Sequence, residues 1–165
     1  MTFAPPWHQD AWERLRQRRD RDAMPHALLL AGPAGLGKRA FLERLQRGLL
    51  CGQPINGDAC GQCRACNLLE AGTHPDRIDV RFELNTSGKL RKEIIVNQIR
   101  DLSARLAMAS QLGGWQVASI DPADSMNAAA ANALLKTLEE PTPASVLVLV
   151  ADAPWRLTAT IRSRC

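Results

Sequence analysis

The sequence predicts an α/β fold in which helices cover both faces of a central, mostly parallel β-sheet. Short apolar runs of strand length alternate along the chain with segments whose apolar residues recur at helical spacing. Strands that are separated by helices are joined by right-handed crossovers, which makes neighbouring strands parallel. A glycine-rich turn between the first apolar run and the helix after it favours the same fold.

Each predicted element has its own local signal. The strands are alternating or continuous apolar runs, at Ala27–Ala31, 78–83, Gln116–Ile120 and Ser145–Ala151. Helical spacing predicts helices at 9–21, 39–50, from about Val96 to Leu106, and 127–140. The last helix ends at Glu140 because the ring of Pro141 disfavours the helical conformation of the residue before it.

Composition limits the class of protein. With 165 residues, of which 45% are hydrophobic and 23% charged, the chain fits one soluble domain with a core of ordinary size. No apolar run is long enough to cross a bilayer, and residues 1–19 lack an apolar signal core. We therefore expect a cytoplasmic, reducing location and no membrane partner. Aromatic residues make up only 4%, which argues against a stacking platform for single strands.

Positive charge permits a nucleic-acid partner but does not establish one, since the net charge is only +4. The helix predicted at 9–21 carries arginines at 14, 16, 18, 19 and 21, with acidic residues between them. Such interleaving favours a solvated helix face. A patch for phosphate or for an acidic partner is the alternative.

A candidate phosphate-binding loop lies at 32–38, between a predicted strand and a predicted helix. Gly32 and Gly37 let backbone N–H groups converge on phosphate oxygens, and the helix N-terminus adds positive potential. Lys38 then reaches the β- and γ-phosphate oxygens. A plain glycine turn is the alternative, but it does not require lysine at this position.

At two positions near this loop, the residue is not the one that nucleotide hydrolysis requires. The residue after the lysine normally ligates Mg²⁺ through a hydroxyl, and here it is Arg39. Arginine cannot ligate a cation, so we expect it to neutralise phosphate or to point into solvent. Asp121 ends a strand as a metal-binding acid does, but Pro122 stands where an activating glutamate is usual. We expect no hydrolysis by this chain alone, and whether ATP and Mg²⁺ still bind stays open.

Four cysteines have the spacing C-x8-C-x2-C-x2-C: Cys51, Cys60, Cys63 and Cys66. The x2 gaps let adjacent thiolates converge on one ion at Zn–S distances of about 2.3 Å. Small buried hydrophobic residues and a disulfide pair are the alternatives. Four sulfur ligands leave no open coordination position, so the predicted zinc is structural, in an insert at about 51–66. His74 is a less favoured further ligand, and a role in its loop is preferred.

Arg164 follows a turn-rich connection from the last predicted strand. From the edge of a domain, its planar cation can reach the γ-phosphate of a neighbouring subunit as an arginine finger. Most surface arginines instead make solvated ion pairs, so the chemistry alone favours the simpler role.

Taken together, the motifs of residues 7–165 resemble the AAA+ subunits of the bacterial DNA polymerase III clamp loader. They are the phosphate loop with a four-cysteine insert after its helix, AGTHPD at 71–76, AANALLKTLEEP at 130–141 and SRC at 163–165. The last two motifs are specific to clamp loaders, whereas the phosphate loop alone is not.

The resemblance implies a P-loop (AAA+) three-layer sandwich with a five-stranded sheet, in a hetero-oligomeric ring of clamp-loader subunits. Such a ring opens the sliding clamp and places it on primer-template DNA. The resemblance also implies structural zinc on the four cysteines, a degenerate nucleotide loop, and Arg164 as the finger that completes the ATP site of the adjacent subunit. Relatives continue into lid and collar domains, so we expect residues 1–165 to be an excised N-terminal domain without them.

One further departure bears on the role within the loader. ATP-hydrolysing relatives carry a phosphate-sensing hydroxyl where this chain has Ala151 and Asp152. With Arg39 and Pro122, this favours a stator subunit with little or no ATPase of its own. The alternatives are the ATP-hydrolysing motor subunit of the same loader, a stand-alone P-loop ATPase, and a zinc module that contacts nucleic acid through Arg64.

Overall fold

The computed structural model describes residues 5–165. Residues 1–4, which belong to the segment without an apolar signal core, lie outside the described residues. None of the helices in the described part of the chain is long and apolar enough to span a membrane.

The four predicted strands and the four predicted helices are all present, together with two short helices that were not predicted, at Arg64–Glu70 and Ala159–Ser163. In chain order they are α1 (Gln9–Asp20), β1 (Ala27–Ala31), α2 (Lys38–Leu50), α3 (Arg64–Glu70), β2 (Arg77–Val80), α4 (Val96–Ala107), β3 (Gln116–Ile120), α5 (Ala128–Glu139), β4 (Ser145–Ala151) and α6 (Ala159–Ser163). Short 3₁₀ turns occur at Pro6–His8, Ala123–Ser125 and Pro154–Arg156.

The second strand is shorter than the predicted 78–83. Strand β2 pairs with β3 up to Val80 opposite Ile120, and the Asp121 N–H donates to the Val80 carbonyl at 3.0 Å. After Asp121 the chain enters the 3₁₀ turn Ala123–Ser125 and leaves the sheet, so nothing continues the ladder beyond Val80. The alternation of apolar residues beyond Val80 therefore does not extend the sheet.

The sheet has four strands in the order β1-β4-β3-β2, and the five-stranded sheet implied by the resemblance is wrong for residues 5–165. All pairings are parallel, with Ala27 opposite Leu147 and Gln116 opposite Ser145. After β4 the chain forms a 3₁₀ turn and α6 instead of another strand. Strand β1 is consequently an edge strand within the described part of the chain.

Two separate apolar clusters cover the two faces of the sheet, so the predicted three-layer arrangement is confirmed. Ile99 of α4, Leu134 of α5 and Ile161 of α6 are fully buried on one face. Trp12 of α1 and Phe41 of α2 pack on the other face. Strands β3 and β4 are buried along their whole length, as expected for central parallel strands.

The topology determines where the functional side chains meet. Because the strands are parallel, their carboxyl ends lie at one edge of the sheet, where ligands bind in folds of this type. The glycine-rich loop follows β1, Asp121 follows β3, and Asp152 follows β4. Residues that are far apart in the sequence therefore converge at this edge.

Candidate functional site

The glycine-rich loop has the backbone conformation that its sequence predicts. Gly35 and Gly37 have φ angles of +88° and +77°, which side-chain-bearing residues rarely adopt. The Leu36 carbonyl accepts a hydrogen bond from Trp7 Nε1 at 3.0 Å, and His8 Nε2 lies 2.9 Å from the same oxygen. The 3₁₀ turn at Pro6–His8 thus contacts the loop and stabilises its conformation.

Lys38, the first residue of α2, is buried, and its ammonium group is fully engaged. Its Nζ donates to the carbonyl oxygens of Gly32 at 2.5 Å and Pro33 at 2.7 Å. Its third partner is Asp152 Oδ1, at 2.7 Å. The ammonium group is thus surrounded by three oxygens of its own chain, two in hydrogen bonds and one in an ion pair.

Arg39 lies against Asp121, a contact that sequence reasoning missed. Its Nε and Nη2 lie 2.7 Å and 2.8 Å from the two carboxylate oxygens. The Arg39 Nη2 also lies 3.7 Å from Asp152 Oδ2. Hydrogen bonding to Asp121 raises the pKa of Arg39, so the guanidinium remains charged.

This arrangement does not fit a magnesium ion. Both oxygens of Asp121 are hydrogen-bonded to a fixed cation, and Arg39 supplies a positive charge where a hydroxyl ligand is expected. Asp121 is only 7% exposed, so little of its surface remains for another ligand.

An apolar cavity of about 460 Å³ adjoins the loop. It lies between α1 and β1 and reaches Lys38, with Leu28, Leu36 and Phe41 among its lining residues. Its size is within the range of small-ligand pockets, about 300–1,000 Å³. The fold therefore leaves room for a small organic group beside the loop, although the charged end of the site is filled by side chains.

The four cysteines meet as their spacing predicts. Their Sγ atoms all lie within 4.8 Å of one another, with 3.8 Å between Cys51 and Cys63 and 3.9 Å between Cys60 and Cys66. Tetrahedral ligands at about 2.3 Å from an ion are separated by about 3.8 Å. A disulfide requires about 2.05 Å, and all four cysteines are free. The cluster can therefore hold one metal ion.

The thiols of the cluster have different pKa values because their surroundings differ. The backbone N–H of Cys66 lowers the pKa of Cys63 to about 6, while burial raises the pKa of Cys66 to about 12. Backbone N–H groups of Gln53 and Cys60 donate to Cys51 Sγ at 3.4 and 3.3 Å. Burial outweighs these donors and raises the pKa of Cys51, but a coordinated cation deprotonates such thiols outright.

The cysteine insert is fastened to the helices beside it. Arg44 of α2 stacks 3.9 Å above the Trp12 ring of α1 and pairs with Asp58 of the insert at 2.6 and 2.8 Å. A Cβ atom added at Gly48 would lie 2.2 Å from the Gly57 carbonyl oxygen, so α2 and the insert are in backbone contact. These contacts attach the metal-binding segment to the same face of the sheet as α1 and α2.

His74 lies outside the cysteine cluster. Its side chain is buried, and its Nδ1 accepts a hydrogen bond from the Asp76 N–H at 3.1 Å. The Asp76 carboxylate, which is 1% exposed, accepts from the N–H groups of Gln111 and Leu112 at 2.8 and 3.0 Å. Asp76 thus fixes the loop before β3. Sequence reasoning did not identify this role, although the position of Asp76 in the AGTHPD motif could have indicated it.

Arg164 follows α6, where it contacts Glu139 and not the phosphate loop of its own chain. Its Nη2 lies 2.9 Å from Glu139 Oε1, and its side chain is 39% exposed. Of the arginines on α1, Arg16 pairs with Glu13 and Arg19 donates to the Gly48 carbonyl at 2.9 Å. These two intramolecular contacts support the structural interpretation of that helix over a phosphate-binding patch.

A parallel sheet with a phosphate loop after β1 and acidic residues after β3 and β4 defines a P-loop domain of the AAA+ class. The solved structure of a DNA polymerase III gamma subunit-related protein from Thermotoga maritima has this fold, with a TM-score of 0.59. The two proteins are 18% identical, over 94% of this chain and 43% of that one.

The chain belongs to the family described as "DNA polymerase III, delta subunit", whose model matches residues 7–165. It is 48% identical to DNA polymerase III subunit delta' of Pseudomonas aeruginosa, over 97% of this chain and 46% of that protein. It is 37% identical to DNA polymerase III subunit tau of Salmonella typhimurium, over 85% of this chain and 21% of that protein. The chain thus spans less than half the length of these relatives.

Proposed function

We propose that this chain is the AAA+ domain of a clamp-loader subunit of DNA polymerase III holoenzyme, acting in DNA replication as a stator. It hydrolyses little or no ATP itself and supplies Arg164 to the ATP site of a neighbouring subunit. The observation that carries this proposal is the contrast between two arginines. Arg39 occupies this chain's own nucleotide site through its hydrogen bonds to Asp121. Arg164 lies at the surface and pairs with Glu139, outside that site.

Arg164 has the properties that a finger acting in trans requires. A planar guanidinium can donate two parallel hydrogen bonds to the oxygens of a transferring phosphoryl group. Arg164 lies directly after α6, which is anchored by the fully buried Ile161. The guanidinium is therefore presented from a fixed element while remaining accessible.

The metal that fits the cysteine cluster is zinc, in a structural role. Zinc commonly takes four thiolates in tetrahedral geometry, and a site with four protein ligands leaves no position for a substrate. Bound zinc would keep all four sulfurs as thiolates and close the insert on itself. The attachment of the insert to α1 and α2 through Arg44 supports a contribution to stability.

The partners are the other clamp-loader subunits, in a hetero-oligomeric ring, with the sliding clamp and primer-template DNA contacted through the assembly. The support is the similarity to proteins named as delta' and tau subunits of DNA polymerase III. Residues 1–165 form one AAA+ domain with the insert at about 51–66, in the cytoplasm. Lid and collar domains, where relatives have them, supply the remaining ring contacts.

The finger role is tested in the assembled loader that contains this subunit. An arginine finger is worth about a thousandfold or more in turnover at the site it completes. Arg164→Ala should therefore remove the share of DNA-stimulated ATP turnover that comes from one interface. Arg162→Ala is the matched control, since Arg162 is also exposed near the end of α6. Unchanged turnover of an intact Arg164→Ala assembly would exclude the finger role without affecting the family assignment.

An ATP-hydrolysing subunit is the second candidate, favoured by the retained Lys38 and by the similarity to tau. ATP hydrolysis by the purified chain, compared with a Lys38→Ala variant, distinguishes the two. Turnover that depends on Lys38 would displace the stator proposal.

A further inference from the structure

Two residues that depart from the phosphate-loop pattern contact each other in the fold. Arg39 follows the loop lysine, and Asp152 follows β4, yet the Arg39 Nη2 lies 3.7 Å from Asp152 Oδ2. Each of the two also contacts a residue that matches the phosphate-loop pattern. Arg39 holds Asp121 through two hydrogen bonds, and Asp152 holds Lys38 at 2.7 Å.

The four side chains form a closed, neutral network of two cations and two carboxylates. Lys38 is held by two hydrogen bonds, to the Gly32 and Pro33 carbonyls, and by an ion pair with Asp152 at 2.7 Å, so its charge is already compensated within the chain. Asp121 has no free oxygen for a metal, because Arg39 holds both. Lys38 and Asp121 are each 7% exposed, whereas Arg39 and Asp152 are 53% and 35% exposed, so the network is buried at the two retained residues and reaches solvent at the two that depart from the pattern.

We propose that Arg39 and Asp152 are an internal substitute for a magnesium–nucleotide ligand. The Arg39 guanidinium takes the place of the divalent cation beside Asp121, and the Asp152 carboxylate takes the place of the terminal phosphate beside Lys38. The loop is thereby held in its filled conformation without a ligand, and Mg·ATP is excluded. Removing both residues uncovers a latent nucleoside triphosphate site, next to the apolar cavity along β1.

This inference deepens the proposed non-hydrolysing role, but its test needs only the chain itself and does not involve Arg164. The test variant is Arg39→Thr/Asp152→Thr, which restores a hydroxyl at both positions. The control is Arg100→Thr/Asp101→Thr, which changes the same charges on the exposed side of α4. Binding of ATP is measured by titration calorimetry in Mg²⁺ and in EDTA.

We expect no ATP binding by the wild type or by the control in either condition. The test variant should bind ATP at least about tenfold more tightly in Mg²⁺ than in EDTA, a difference of about 1.4 kcal/mol. Adding Lys38→Ala to it should abolish binding. A wild type that binds ATP in a magnesium-dependent way overturns the proposal, as does a folded test variant that does not bind.

A second measurement keeps the test decisive if the double variant does not fold. A ligand that binds to an open site raises the Tm of the protein, by about 5 °C or more when the ligand is at a hundredfold excess over its Kd. The Tm of the wild type should not change with millimolar Mg·ATP or with Mg²⁺ and inorganic phosphate. A rise in Tm with Mg·ATP overturns the proposal, whatever the variants do.

Discussion

The guanidinium of Arg164 lies 2.9 Å from the carboxylate of Glu139, which ties the residue after α6 to the last residue of α5. The two side chains are 39% and 49% exposed. An exposed ion pair of this kind is worth about 0–1 kcal/mol. Arg164 can therefore exchange Glu139 for a phosphate oxygen with little loss of free energy, which suits an arginine that acts on a neighbour.

We predict that Glu139→Gln makes Arg164 more available. In the assembled loader, ATP turnover without DNA should rise by up to about fivefold, since the lost pair is worth no more than about 1 kcal/mol. Glu140→Gln is the control, because Glu140 is exposed and follows Glu139 directly. A fall in turnover would contradict this and would mean that Glu139 holds Arg164 in its active position.

Metal analysis checks the cysteine cluster. Chain purified without added metal should contain about one zinc ion, and Cys60→Ser should lower both the zinc content and the Tm. Cys165→Ser is the control, since Cys165 lies outside the cluster. A strong chelator should destabilise the wild type and the Cys165→Ser variant but have little effect on Cys60→Ser. Wild-type protein with less than about a tenth of an equivalent would exclude the zinc site.

Gly48→Ala tests the contact between α2 and the insert. Alanine normally favours a helix over glycine by about 1 kcal/mol, but here its Cβ would lie 2.2 Å from the Gly57 carbonyl. We expect a net loss of about 1–3 kcal/mol in the free energy of unfolding, measured by urea denaturation. Gly114→Ala is the control, because nothing lies within 4 Å of the added Cβ. Equal stabilities of the two variants would show that the insert moves away freely.

The Asp152–Lys38 pair predicts a specific acid sensitivity. Hydrogen bonding to Lys38 holds the pKa of Asp152 below its ordinary value of 3.8. A depressed folded-state pKa stabilises the fold above 3.8, and this contribution is lost as the pH falls through the lowered value.

The Tm difference between wild type and Asp152→Asn should therefore stay constant from about pH 7 to pH 5 and shrink below 3.8. Thermal unfolding followed by circular dichroism measures both curves, with the exposed Asp101→Asn as reference. A difference that grows on acidification would mean that Asp152 is not paired as a carboxylate.

Local sequence signals predicted most of the elements and both candidate sites. The glycines of the loop have the φ angles that their positions require, and the cysteine spacing places four sulfurs at the distances of one coordination sphere. These features depend on residues that are close in the sequence. The end of the second strand was predicted wrongly, because the ladder ends where the chain after β3 turns into Ala123–Ser125, and the sequence of β2 itself does not show this.

The partners of the charged residues could not be predicted in the same way. Arg39 was expected to face phosphate or solvent, and nothing near it in the sequence indicated Asp121 as its partner. Their contact depends on β4 lying between β1 and β3, which brings the ends of three strands to one edge. The count of four strands likewise depended on which segments pair, and the family resemblance implied five.

The sequence by itself determined the α/β class, the phosphate loop, the cysteine cluster and the family, because these follow from short-range periodicity, backbone preferences and ligand spacing. Only the tertiary structure decided what the charged side chains do. It joined Arg39 with Asp121, Lys38 with Asp152, and Arg164 with Glu139. Ion pairs form between whichever opposite charges the packed strands and helices bring within a few ångströms, and that proximity is a property of the whole fold.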